Sequence, residues 1–117
     1  MVAILIVEDE LLLLMDITDE LERHGYEVLQ AANADEAIKI LEACYDIRTI
    51  FTDIDVPGSM DGLKLAAAVR DRWPPINIIL TTGMKAPHAD NMPARSLFVE
   101  KPYRNAQVLE AFRSFEE

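Results

Sequence analysis

The apolar residues of this chain fall into short blocks whose period changes from block to block. "VAILIV", Val2 to Val7, is an unbroken apolar run rich in β-branched side chains, the pattern of a strand covered on both faces. From Leu11 to His24, Leu13, Leu14, Ile17 and Leu21 recur at helical spacing, and Gly25 supplies a C-terminal stop. Tyr26 to Ala31 is a second short strand. Asn33 and Glu36 make an N-x-x-E start signal for a helix that runs to about Cys44. Arg48 to Thr52 is the third strand, and Asp61 is placed to cap a helix from Leu63 to about Arg72, which Pro74 and Pro75 end. Ile76 to Leu80 and Leu97 to Val99 are the fourth and fifth strands. Asn105 to Phe115 closes the chain as a helix with Val108, Leu109, Phe112 and Phe115 facing inward.

Strands that alternate with helices of about ten residues imply parallel βαβ units joined by right-handed crossovers, hence an α/β domain with helices on both faces of the sheet. The 117 residues make one such domain and leave no room for a second. Half the residues are apolar, enough for a real core. No apolar run approaches the length of a membrane span, and "MVAILIV" is too short for a signal peptide and runs straight into Glu8, Asp9 and Glu10. Cys44 is the only cysteine, which excludes an internal disulfide and makes a reducing cytoplasm the expected setting. The balance of 21 Asp and Glu against 11 Lys and Arg argues against direct binding to nucleic acid.

In an open parallel sheet, ligands sit beyond the carboxyl ends of the strands. Here those ends carry Glu8 and Asp9, Asp53, Thr81 and Thr82, and Lys101. Acids gathered this closely repel unless a cation joins them. A hard divalent ion, Mg2+ or Mn2+, suits such oxygen donors. Asp9 and Asp53 would supply carboxylates, the backbone carbonyl of Asp55 is a candidate third ligand, and Glu8 would act through a water. Asp53 is then available as a nucleophile that forms an aspartyl phosphate, with Lys101 pairing the new charge and the Thr82 hydroxyl bonding a phosphoryl oxygen.

"ILIVEDE", "FTDIDVPGSMDG", "IILTTG" and "FVEKPY", in that order and at nearly the right spacings, resemble the receiver domains of two-component response regulators. The resemblance covers essentially the whole chain. It implies a flavodoxin-like, three-layer, doubly wound sheet of five strands in the order 2-1-3-4-5. It implies that Asp53 accepts a phosphoryl group from a histidine kinase or a phosphotransfer protein, that Glu8 and Asp9 form the acidic pocket, and that Asp55 gives its carbonyl to Mg2+. Thr82 and Lys101 would sense the phosphoryl group, Phe98 would be the switch aromatic, and the Lys101–Pro102 bond would be cis. The domain would be a phosphoacceptor rather than a conventional enzyme. Its output would be a surface formed by the family's fourth helix, fifth strand and fifth helix, offered to a downstream protein target.

Three features depart from that pattern. "PGSMDG" holds one extra residue between Pro57 and Met60. "GMKAPHADNMPARS" carries Pro87 and Pro93, so a short or irregular fourth helix is expected. The switch aromatic is Phe98 rather than tyrosine. Two rivals stand beside the receiver reading. One is a receiver-like module that only binds partners; the other is a haloacid-dehalogenase-type phosphatase using "DID". Taken singly, the motifs have plainer explanations: acids at a helix start, turn formers before Pro57, a surface lysine, ordinary packing of Phe98. Cys44 is expected to be a small buried hydrophobe, and His24 and His88 surface residues. Leu11, Leu12 and Met15 lie off the core face of the first helix, as a homodimer or partner surface or under a polar tail.

Overall fold

The computed structural model describes residues 3–84 and 86–116. Val2, where the sequence starts the first strand, and Lys85, in the proline-bearing segment, lie outside the described residues. Five strands, β1 (Ala3–Val7), β2 (Glu27–Ala31), β3 (Ile47–Asp53), β4 (Asn77–Thr82) and β5 (Ser96–Glu100), form one parallel sheet in the order β2-β1-β3-β4-β5. Four helices cross between them or close the chain: α1 (Leu11–Arg23), α2 (Ala34–Ala43), α3 (Gly62–Arg72) and α4 (Asn105–Ser114). The expected fold class and strand order are therefore observed.

Position in the sheet explains the hydrophobic pattern of each strand. All of β1 is buried, and β3 and β4 nearly so, because helices cover both of their faces. The edge strands β2 and β5 alternate or stay half exposed. One core layer lies between the sheet and α2 and α3, with Leu41, Leu65 and Val69 packed on Leu5, Ile50 and Ile78. The other lies between the sheet and α1 and α4, where Leu14, Ile17, Leu21, Val108 and Phe112 meet Ile4, Ile6, Phe51 and Ile79. Of the four α1 residues expected at helical spacing, Leu14, Ile17 and Leu21 are buried and Leu13 is only half buried.

Local signals set the helix starts. Asn33 accepts the Glu36 N–H at 2.9 Å, and Glu36 reaches back to the Ala32 N–H at 3.0 Å. Asp61 accepts the Lys64 N–H at 2.9 Å, so α3 begins one residue before the expected Leu63. The extra residue in "PGSMDG" is absorbed with Gly58 at φ +112° and Ser59 Oγ donating to Asp35 Oδ1 at 2.9 Å. Between β4 and β5, where a short or irregular fourth helix is expected, the only helical turn among the described residues is a 3-10 turn at Ala89–Asn91. Pro87 and Pro93 bracket it and prevent a longer one. Arg70 substitutes for the missing packing. It donates to the Ala94 carbonyl at 2.9 Å, tying this segment to α3, and to the Pro74 and Ile76 carbonyls at 2.6 and 2.9 Å in the α3–β4 connection.

Candidate functional site

β1, β3 and β5 are parallel and end at the same edge, so Glu8, Asp53 and Lys101 emerge together. Glu8 continues the side-chain parity of Ile4 and Ile6, and Asp53 that of Phe51. Both therefore leave the sheet on the α1/α4 side. Lys101 Nζ bridges them, donating to Asp53 Oδ2 at 2.7 Å and lying 2.9 Å from Glu8 Oε1. Glu8 and Asp53 are only 4% and 5% exposed, so the bridge operates at reduced dielectric. Asp9 is exposed and opens the group to solvent; carboxylate oxygens of Glu8, Asp9 and Asp53 all lie within 4.8 Å of one another.

Backbone groups hold these acids in place. Glu8 Oε2 accepts the Glu10 N–H at 3.1 Å, and Asp53 Oδ1 accepts the Asp55 N–H at 2.9 Å. The Lys101 N–H donates to the Thr82 carbonyl at 3.1 Å, which carries the pairing of β4 and β5 into the site, and the Lys101–Pro102 peptide is cis. Burial pushes the Glu8 carboxyl above its ordinary value, against the opposing pull of Lys101. Burial opposes the charge on Lys101, but the hydrogen bonds it donates to Asp53 and Glu8 outweigh this and hold the ammonium above its usual range. Tyr103, half-buried beside this group, is pushed up to about 12 by burial and then by the Glu8 charge.

Of the residues singled out in the sequence, Glu8, Asp9, Asp53 and Lys101 meet in one place. Thr82 does not join them. It lies in β4 rather than beyond its end, on the opposite sheet face, and its hydroxyl donates to Asp55 Oδ2 while accepting the Met84 N–H at 3.1 Å. Thr81 shares the Asp53 face and is buried with its hydroxyl unpartnered. Phe98 pairs with Leu80 in the β4–β5 register, one pleat repeat behind the Thr82–Glu100 pair, and packs half-buried on the α2/α3 core. Cys44 is half-buried at the end of α2, and His24 and His88 are exposed. Leu11, Leu12 and Met15 are 66%, 83% and 56% exposed on α1.

Gly62 escaped the sequence reading. It starts α3 directly against the end of β3, where a Cβ would meet the Asp53 carbonyl oxygen at 2.2 Å and Ile54 Cα at 2.7 Å. The detectable signal is a glycine immediately after the capping Asp61, a position where helix propensity alone disfavours it.

A parallel five-stranded sheet in this order, with acids on its first and third strand ends and a lysine after the fifth, defines a flavodoxin-like α/β domain with an acidic pocket that could hold a metal ion. The sequence profile of the response regulator receiver domain matches residues 4–113. The chain is 33% identical to the transcriptional regulatory protein ResD of Bacillus subtilis, over 91% of this chain and 44% of that protein. It is 32% identical to the sensor kinase CckA of Brucella abortus, over 90% of this chain and 11% of that protein. It thus spans less than half the length of these relatives. Among solved structures, a response regulator receiver protein from Sinorhizobium medicae superposes with a TM-score of 0.91 at 30% identity, covering 97% of this chain and 93% of that one. The response regulator protein TrrA from Thermotoga maritima, in complex with Mg2+-BeF, superposes with a TM-score of 0.85 at 27% identity, covering 98% and 99%. The chain belongs to the response regulator receiver domain family. Among the described residues no helix is long and apolar enough to cross a membrane.

Proposed function

We propose that this receiver domain takes up a phosphoryl group on Asp53 from a histidine kinase or a phosphotransfer protein in the cytoplasm. The observation that carries this reading is the buried bridge from Lys101 to Asp53 and Glu8, with Asp9 in reach of both acids. An all-oxygen set of three carboxylates fits a hard divalent cation, Mg2+ or Mn2+. Asp9, Asp53 and the backbone carbonyl of Asp55 would hold it, with Glu8 acting through a water. When bound, the cation offsets the negative charge that gathers around the transferring group.

The chain's own residues account for the rest. Asp53 is oriented by the Asp55 N–H on one carboxylate oxygen and Lys101 on the other. One of its oxygens forms the new P–O bond as the P–N bond of the donor phosphohistidine breaks, and that bonding pair stays on the imidazole. Lys101 then pairs with the added charge. Thr82 reorients toward the phosphoryl oxygens, and Phe98, on the same sheet face, occupies the space released. This repacking changes the surface of β5, α4 and the Ala89–Asn91 turn that a downstream protein contacts. The exposed Leu11, Leu12 and Met15 on α1 serve as a contact for the phosphodonor protein.

The test is incubation with Mg2+ and acetyl phosphate, followed by intact mass. The expected result is one added phosphoryl group, stable in acid and labile in base, that is absent from Asp53→Ala. A chain that gains no such group, or gains it equally in Asp53→Ala, overturns the reading. Sustained turnover of simple phosphomonoesters would point instead to a phosphatase.

A further inference from the structure

The Asp55 side chain has no part in the chemistry above, which calls only on the Asp55 backbone carbonyl. It is nevertheless engaged, because Thr82 Oγ1 donates to Asp55 Oδ2. A threonine hydroxyl carries one proton and so serves one acceptor at a time. Thr82 is 1% exposed, and its β-branched side chain moves between discrete χ1 rotamers. The Met84 N–H, at 3.1 Å from Thr82 Oγ1, reinforces the present rotamer from the other side. Asp55 and Thr82 both line a cavity of about 390 Å3 beneath the Ala89–Asn91 turn, on the sheet face that carries Phe98 rather than the face that carries Asp53 and Lys101.

We propose that the Asp55 carboxylate is a latch: it holds the Thr82 hydroxyl turned away from Asp53, so that phosphoryl uptake must displace this hydrogen bond before the switch can move. The inference rests on Asp53 being the phosphoacceptor. A phosphoryl group on Asp53 acts on the latch in two ways. Its oxygens compete for the Thr82 proton, and its charge repels the Asp55 carboxylate. The occupied latch lowers the population of the responsive conformation, and a ligand can shift that population only by its own preference between the two states. Asp55 therefore sets the threshold of the response.

The experiment has two arms. In the unphosphorylated protein, three-bond couplings to the Thr82 methyl report its χ1 rotamer. They are expected to show a single rotamer in wild type and averaging in Asp55→Ala, with Asp55→Asn, a neutral acceptor of the same shape, in between. In the second arm, acetyl phosphate at a sub-saturating level is added with Mg2+ to wild type, Asp55→Ala, Thr82→Ala and the double variant. Losing a hydrogen bond to a charged acceptor is expected to raise the phosphorylation constant of Asp55→Ala roughly ten-fold over wild type, with no such gain when Thr82 is alanine. Thr82→Ser, which keeps the hydroxyl, is expected to retain the gain. An unchanged Thr82 rotamer in Asp55→Ala overturns the latch, as does an equal rise in both backgrounds, which would be plain charge removal. If wild type takes up no phosphoryl group, the phosphoacceptor reading fails, and the rotamer arm still decides whether Asp55 holds Thr82.

Discussion

Replacing Gly62 by alanine tests how the site is anchored, because two physical effects predict opposite signs. In a helix, alanine is favoured over glycine by about 1 kcal/mol, so propensity alone predicts a more stable protein. The structure predicts the reverse. A Cβ on Gly62 would stand 2.2 Å from the Asp53 carbonyl oxygen, 2.7 Å from Ile54 Cα and 2.9 Å from the Asp53 carbonyl carbon. Real Cβ contacts essentially never fall below 3.0 Å, so the start of α3 and the end of β3 must separate by about 0.8 Å. Both sides of the clash are backbone, and no side chain can rotate to relieve it. Overpacking of this kind costs about 1–3 kcal/mol. The same displacement stretches the 2.9 Å bond from the Gly62 N–H to the Ile54 carbonyl, a further loss of about 1 kcal/mol.

Set against the propensity gain, the net expectation for Gly62→Ala is a loss of about 1–3 kcal/mol. With an unfolding entropy near 2.1 cal/mol/K per residue, the chain loses about 4 °C of melting temperature per kcal/mol, so Tm falls by about 4–12 °C. Urea unfolding followed by circular dichroism measures the free energy directly, with an unchanged slope confirming that both states keep their compactness. Gly25→Ala is the control. Its φ is +90° but nothing lies within 4 Å of the added carbon, so only backbone strain of about 1 kcal/mol applies. Because the Asp53 peptide moves in Gly62→Ala, phosphoryl uptake is expected to fall in that variant and not in Gly25→Ala. A Gly62→Ala protein as stable as wild type, or more so, refutes the claim that close backbone contact sets the position of Asp53.

Lys101→Met keeps the aliphatic stem but leaves the buried Glu8 and Asp53 carboxylates without their cation. The expected loss is about 3 kcal/mol at neutral pH in EDTA, largely recovered on adding Mg2+, and a loss indifferent to Mg2+ would count against a shared acid–cation site. Burial holds the folded-state Glu8 carboxyl above the ordinary 4.5, so the folded protein takes up this proton before the unfolded chain does, and the Lys101→Met deficit is expected to shrink as the pH falls toward 4.5. Tyr103 is expected to ionise only near pH 12 in an absorbance titration; its stabilising contribution is full below 10 and lost as the pH climbs through 12, and a titration unchanged in Tyr103→Phe would contradict the assignment. Arg70→Ala removes donors to three loop carbonyls and is expected to cost about 1–2 kcal/mol with faster amide exchange between β4 and β5; Arg70→Lys should rescue little, since an ammonium cannot reproduce the guanidinium fork.

These sites differ in how visible they were from sequence, and the difference is physical. Glu8, Asp53 and Lys101 could be placed together because each follows a strand whose apolar run declares it, and parallel strands deliver their ends to one edge. Asn33 and Asp61 were equally legible, since a cap acts on a backbone N–H three residues away. That Leu14 is buried and Leu13 only half buried was not, because four consecutive leucines fit more than one phase of the helix. Prolines exposed the weak fourth helix, but not the Arg70 clamp that replaces it, whose acceptors are backbone carbonyls up to 25 residues away.

The same limit hid the Asp55–Thr82 contact. Strand parity alone turns Thr82 to the face opposite Asp53, and parity could have been applied had β4 been extended through Thr81 and Thr82 instead of ended at Leu80. What no local rule supplies is the acceptor waiting there, 27 residues earlier in the chain, on the turn that also carries the Asp55 carbonyl. One residue thus offers its main chain to the proposed cation site and its side chain to the threonine that must later leave it. The chemistry of uptake and the restraint on its consequence therefore share a single turn after β3, and a substitution at Asp55 that keeps the backbone should separate them.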